Sequence, residues 1–127
     1  MCGIVVAIST QEIVADTVQR LSLMEYRGYD SFGAATLQTT ADTPQIVIRK
    51  NTGKIGEAMS RGYFHDVPAS RSALAHTRWA THGGPTPANA HPHLSYDGTI
   101  AVAHNGVIEN HAQIRRHLEA EGIVFRL

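Results

Sequence analysis

The only cysteine of the chain, Cys2, stands directly behind Met1 and opens the run Gly3-Ile4-Val5-Val6-Ala7-Ile8. A β-branched run of this kind reads as a buried strand, which ties the first residues into the interior. Cysteine is small enough for an aminopeptidase to remove the methionine before it, leaving thiol and free α-amine on one residue. Such an amine titrates near pKa ~8, and an N-terminal amine can activate a side-chain nucleophile. A free cysteine is equally at home as a small buried hydrophobe. Position alone leaves both roles open for Cys2.

Composition narrows the field around that residue. The 127 residues amount to one domain at most, with 43% hydrophobic residues, an ordinary globular share. Eleven basic and eleven acidic side chains cancel, so no charge excess points to nucleic acid or an anionic membrane. A lone cysteine excludes an internal disulfide framework and suits a reducing cytoplasm. The longest apolar run, Ile4 to Ile8, is too short to span a bilayer and lacks the basic flank of a secretory signal. Eight histidines are the one oddity.

Strand and helix signals alternate along the chain. Ser9 and Glu12 stand at capping-box spacing, and Val14, Val18, Leu21 and Met24 recur at helical spacing. These predict a helix over Thr10 to Glu25, ended near Gly28. Phe32 to Gln38 and Gln45 to Lys50 read as strands joined by a hairpin through Thr39-Thr40-Ala41-Asp42-Thr43-Pro44. A short helix follows in residues 51–64, and Ala73 to His76 is a short strand. Thr99 to His104 is a further strand. Asn110 and Gln113 cap a last helix with Ile114 and Leu118 inward and Gly122 as its stop, and Ile123 to Phe125 begins another strand.

Chemistry-bearing side chains concentrate in residues 76–93, HTRWATHGGPTPANAHPH, which prolines and glycines mark as a loop. Loops that collect such side chains usually carry function. Arg78 offers a planar fork for a carboxylate, and Thr81 with the amides near His82 and Gly83 adds donors. Trp79 either covers a ligand or anchors the loop. His91 and His93, with His76, His82 and His104, are the residues a zinc site would draw on, but no HExxH spacing is present. The expectation is hydrogen bonding that shapes the loop, with no metal and no cofactor. Asn105-Gly106 reads either as a common turn dipeptide or as an oxyanion hole made of the Asn105 amide and the Gly106 N–H. Arg27 and Asp30, in YRGYDSFG, brace each other or a neighbouring site.

Four motifs in fixed order, MCGIVVAIS, MEYRGYDSFGAA, LAHTRWATHGGPTPANAHPH and AVAHNGVIENH, resemble the glutaminase domain of the glucosamine-6-phosphate synthases. These are glutamine–fructose-6-phosphate aminotransferases, class II amidotransferases with an N-terminal nucleophile. The resemblance implies an α+β fold, a four-layer αββα sandwich of two antiparallel sheets, with only its N-terminal part in residues 1–127 and the isomerase domains absent. It implies Cys2 as nucleophile after loss of Met1, with its own α-amine as general base. It further implies Asn105 and Gly106 as the oxyanion hole, Arg78 as the grip on the glutamine α-carboxylate, and Thr81 and His82 beside it. Trp79 would be the closing residue of the site and Arg27 a support for the nucleophile. The implied substrate is L-glutamine, and fructose 6-phosphate is used only through the missing domains. Full-length members of the family are homo-oligomers of the cytoplasm.

Departures from the family pattern accompany the matches. Val6 stands where the family usually has glycine and Phe32 where it usually has alanine, and either larger side chain is expected to crowd its surroundings. The family's later serine–glutamate–threonine–aspartate segment, whose aspartate holds the glutamine α-amine, does not occur in the 127 residues. The chain alone is therefore expected to release little or no glutamate and to expose sheet edges. Two rivals remain at this point: a cysteine hydrolase pairing Cys2 with a remote histidine such as His104, and a binding or regulatory fragment without chemistry.

Overall fold

The computed structural model describes residues 1–39 and 42–125. Residues 40 and 41, in the turn expected between two strands, and residues 126 and 127 lie outside the described part. Ten elements follow in order: β1 (Gly3–Ile8), α1 (Val14–Ser22), a 3-10 turn (Glu25–Arg27), β2 (Ser31–Gln38), β3 (Gln45–Thr52), α2 (Ile55–Ser60), β4 (Ser72–Arg78), β5 (His93–Leu94), β6 (Ala101–Val102) and α3 (His111–Ala120). β1 to β4 make one antiparallel sheet in the order β1-β4-β2-β3, and β5 pairs with β6 in a second, two-stranded sheet. The architecture is α+β with antiparallel sheets, as the motifs imply.

Alternation along the strands decides which face is dry. Val5 on β1, Phe32 and Ala34 on β2, and Ala75 on β4 meet Val18 and Leu21 of α1 and Ile55 of α2. Phe32 does not crowd this core. It is 2% exposed and sits edge-to-face with both Tyr63 and Phe64 at 5.5 and 5.8 Å. Val6 crowds nothing either, because its side chain points to the opposite face and is largely exposed. That face carries Ile8 and Leu37 beside it, open to a shallow cavity bordered by Ala101 of β6 and by Thr99 just before it.

Several boundaries differ from expectation, each for a local reason. α1 begins at Val14 instead of Thr10, because Ser9 Oγ takes the Gln11 N–H and Glu12 Oε1 takes the Val14 N–H. The polar side chains thus close two turns ahead of the helix. α1 stops at Ser22, and Glu25–Arg27 forms a separate 3-10 turn that ends in the extended Gly28. The strand expected over Thr99 to His104 shrinks to Ala101–Val102, since only β5 pairs with it. α3 buries no residue, so Ile114 is 41% exposed and Leu118 only half-buried, and Asn110 makes no side-chain cap bond. Ile123 to Phe125 is not a strand: the Ile123 N–H returns to Leu118 O at 3.0 Å and Phe125 lies under the Arg115 guanidinium.

Gly33 is the position where the sheet needs no side chain at all. A Cβ there would lie 2.2 Å from the His91 carbonyl oxygen and 2.6 Å from Lys50 Cβ. The segment 88–92 therefore rests directly on the β2 backbone. Lys50, cross-strand from Gly33, holds that segment with its ammonium, which donates to Ala90 O at 2.7 Å, Pro92 O at 3.2 Å and Ala88 O at 3.3 Å. Three carbonyls around one half-buried cation are a strong local tie.

Candidate active site

The start of β1 and the end of β4 are antiparallel neighbours, with Gly3 opposite Thr77. That register alone sets Cys2 beside Arg78 and Trp79. The 3-10 turn supplies Arg27, and the loop after β6 supplies Asn105 and Gly106. The eight residues that the family resemblance implicates (Cys2, Arg27, Arg78, Trp79, Thr81, His82, Asn105 and Gly106) line one open cleft of about 480 Å³. Met1, His91 and His104 complete its wall.

Cys2 is fixed from several sides. Its Sγ accepts the Trp79 backbone N–H at 3.3 Å and lies 3.9 Å from the Trp79 carbonyl oxygen, to which the thiol donates. Its carbonyl oxygen accepts from Arg27 Nε and from Asn105 Nδ2, both at 3.3 Å. Among the described residues no hydrogen bond joins Cys2 Sγ to His104, although both line the cleft. Met1 is 78% exposed, and its sulfur lies 3.9 Å from Arg27 Nη2. An enzyme that trims the terminus meets it without disturbing the core.

Arg78 ends β4 and is 8% exposed. Its guanidinium donates to the carbonyls of His82, Gly83 and Gly84, closing the tight loop 79–84 around itself. Thr81 and His82 are consequently exposed at the rim. Trp79 is 41% exposed and packs edge-to-face on Tyr29 at 5.2 Å, so it anchors the loop while leaving ring surface toward solvent. Asp30 does not pair with Arg27. Its carboxylate accepts the Ala80 N–H at 2.8 Å and so pins the loop that Arg78 closes.

Behind the cleft lies a group of rings whose arrangement the sequence left unspecified. His76, fully buried on β4, has its Nε2 at 2.7 Å from Asn105 Oδ1. His91 stacks on it at 4.5 Å, and His93 meets His91 edge-on at 4.4 Å. No group of three or more metal-ligating side chains with suitable geometry occurs among the described residues. Burial lowers the His76 pKa, and the Arg78 charge adds to this against the opposing Asn105 hydrogen bond. Burial, then neighbouring charges, pushes His91 to about 3 and His93 to about 4.

These shifts set a pH dependence. Both rings stay neutral in the folded chain yet accept a proton near pH 6.5 when unfolded. The unfolded state thus binds more protons below pH 6.5, so stability is full above that pH and falls as pH drops toward 4. With allowance for partial solvent screening, about 2 kcal/mol should be lost between pH 7 and pH 5. Urea unfolding across that window measures it. A flat profile, or an undiminished slope in His93→Gln, would contradict the assignment.

No family model matches the chain. Curated relatives do. It is 47% identical over 130 residues to the glutamine–fructose-6-phosphate aminotransferase (isomerizing) of Methanothermobacter thermautotrophicus, covering 99% of this chain and 20% of that one. The proteins of the same name from Pseudomonas putida and Idiomarina loihiensis are 45% and 48% identical, each over 98% of this chain and 20% of theirs. The chain thus spans about a fifth of the length of these relatives. Among solved structures, the glutamine phosphoribosylpyrophosphate amidotransferase of B. subtilis in complex with ADP and GMP superposes with a TM-score of 0.77 at 24% identity. That match covers 99% of this chain and 26% of that one. An allosteric regulatory enzyme of purine biosynthesis superposes equally well, at 27% identity, over 98% and 26% of the two chains.

Proposed function

Since the chain belongs to the glutamine amidotransferases of the N-terminal-nucleophile fold, on the side of the glutamine–fructose-6-phosphate aminotransferases, we propose that it hydrolyses the side-chain amide of L-glutamine. The observation that carries this reading is the pairing at Cys2: a sulfur held by the Trp79 N–H and a carboxamide, Asn105, held against the same residue. Once Met1 is removed, the Cys2 α-amine takes the thiol proton and the thiolate attacks the side-chain carboxamide carbon (Cδ) of glutamine. Negative charge develops on the carboxamide oxygen (Oε1), where Asn105 Nδ2 and the Gly106 N–H are suited to receive it. The tetrahedral intermediate collapses, the C–N bond breaks, and ammonia leaves with the proton the amine held. Water then cleaves the γ-glutamyl thioester to glutamate and frees Cys2.

We assign the glutamine α-carboxylate to Arg78, whose guanidinium lines the cleft while also holding the carbonyls of His82, Gly83 and Gly84, and Thr81 and His82 stand beside it at the rim. Trp79 covers the bound amino acid and Arg27 steadies the Cys2 carbonyl. No cofactor enters these steps. The relatives are named for fructose 6-phosphate as acceptor, and we assign the handling of that acceptor to the part of their length that this chain does not span. We place the protein in the cytoplasm, consistent with its lone cysteine and with the lack of any helix long and apolar enough to cross a membrane among the described residues.

A covalent probe tests the reading whether or not turnover is fast. A γ-diazoketone analogue of glutamine should add one adduct to the processed chain, at Cys2, with glutamine protecting against it. A chain that stays unlabelled, or is labelled without protection by glutamine, would defeat the proposal.

A further inference from the structure

We propose that His76 is a positioning residue for glutamine hydrolysis: its Nε2–H holds the Asn105 side-chain amide so that Nδ2, not Oδ1, faces Cys2. The inference rests on the glutaminase reading above and assigns a role to a side chain that reading does not use. Asn105 lies in an exposed loop outside any strand or helix, and a carboxamide there has two orientations related by a half-turn. Only one is useful, because an amide oxygen turned toward the developing oxyanion would repel it.

Two contacts select the useful orientation. Asn105 Nδ2 donates to the Cys2 carbonyl at 3.3 Å, and Oδ1 lies 2.7 Å from His76 Nε2. Turned over, the amide would set two acceptors against each other at Cys2. It would also need His76 to carry its proton on Nδ1, which is buried and without a hydrogen-bond partner among the described residues. An orphaned buried N–H is rarer and less tolerable than an orphaned lone pair. The neutral Nε2–H tautomer therefore satisfies both groups, and the amide follows the ring.

The ring itself is held rigidly. His76 sits on a central strand, cross-strand from Ile4 on one side and Gly33 on the other. Because Gly33 has no side chain, the His91 backbone settles on β2 and the His91 ring stacks on His76 at 4.5 Å. His91 Nδ1 also accepts the His104 N–H at 3.4 Å. The stacked pair thus grips the loop twice, through the Asn105 amide and through the backbone one residue earlier.

Two measurements on the full chain test this. Long-range proton–nitrogen NMR at pH 7 should show His76 neutral with Nε2 protonated, and Asn105→Ala should remove that tautomer preference. Kinetically, His76→Ala should lower the chemical rate about 10- to 100-fold, below the full cost of deleting an oxyanion donor, with the KM for glutamine changed less than about twofold. His76→Gln, whose amide N–H can still reach Oδ1, should recover most of the rate, and diazoketone alkylation of Cys2 gives the same comparison where turnover is slow. A His76 protonated on Nδ1, a charged ring, or an unaltered rate in His76→Ala beside an impaired Asn105→Ala would overturn the proposal. If the parent releases glutamate and Cys2→Ala releases it as fast, or if the diazoketone labels Cys2→Ala as it labels the parent, it is the glutaminase reading that falls, while the tautomer measurement still reports the amide's orientation.

Discussion

A chain that keeps Met1 is expected to lose its glutaminase chemistry almost completely. With Met1 in place the Cys2 nitrogen is an amide, which has no basic lone pair, and the nearest amine belongs to the preceding residue. General-base help of this kind is worth roughly 10²- to 10⁴-fold, so a drop of at least about 10²-fold in Cys2 alkylation or glutamate release should follow. Steric hindrance adds to it, because Met1 lines the cleft and its sulfur lies 3.9 Å from Arg27 Nη2. Blocking the aminopeptidase during expression and confirming the retained methionine by mass gives the variant without any change in the fold. The same test separates the rival chemistry. A Cys2–His104 hydrolase would need no free amine and should keep its rate, so activity surviving in the unprocessed chain would sink the N-terminal-amine mechanism.

That experiment turns on a residue legible from the sequence, and it is instructive which neighbours were not. Cys2, Arg78 and Asn105 could be found because each sits in a contiguous motif with chemistry of its own, and the antiparallel pairing of β1 with β4 then brings two of them together. His76 was visible only as one of many histidines. Its partnership with Asn105 spans 29 residues of sequence and depends on the register that places it opposite Gly33. The sequence leaves Arg27 and Asp30 to brace each other or a neighbouring site, and the structure takes the second course: Asp30 accepts the Ala80 N–H and Arg27 donates to the Cys2 carbonyl, a choice that short sequence spacing does not decide. Helix ends were misjudged where Ser9 and Glu12 cap turns of their own, a competition between local side-chain bonds and the helix that spacing cannot resolve. The apolar spacing of α3 promised a buried face, yet amphipathic spacing only offers a face; burial needs a neighbour, and none of its residues has one close enough to be buried.

Gly33→Ala should be the most damaging single methyl group that can be added to this chain. The new Cβ would stand 2.2 Å from the His91 carbonyl oxygen and 2.6 Å from Lys50 Cβ, both well inside contact distance. Backbone cannot yield as a flexible side-chain tip does, so the 88–92 segment must lift from β2. Lifting it lengthens the three carbonyl contacts of Lys50 and draws His91 away from His76. Overpacking alone costs about 1–3 kcal/mol, and the lost ammonium contacts raise the expected total to about 3–5 kcal/mol. Against this, the stiffer unfolded chain returns less than about 1 kcal/mol. The damage should reach the chemistry as well, since His104 and Asn105 lose the ring pair that holds them. Gly84→Ala is the matched control: a Cβ there meets nothing within 4 Å, and its stability should stay within about 0.5 kcal/mol of the parent. Urea unfolding of the two variants side by side decides the matter, and equal stabilities would show that the loop does not rest on β2 as described.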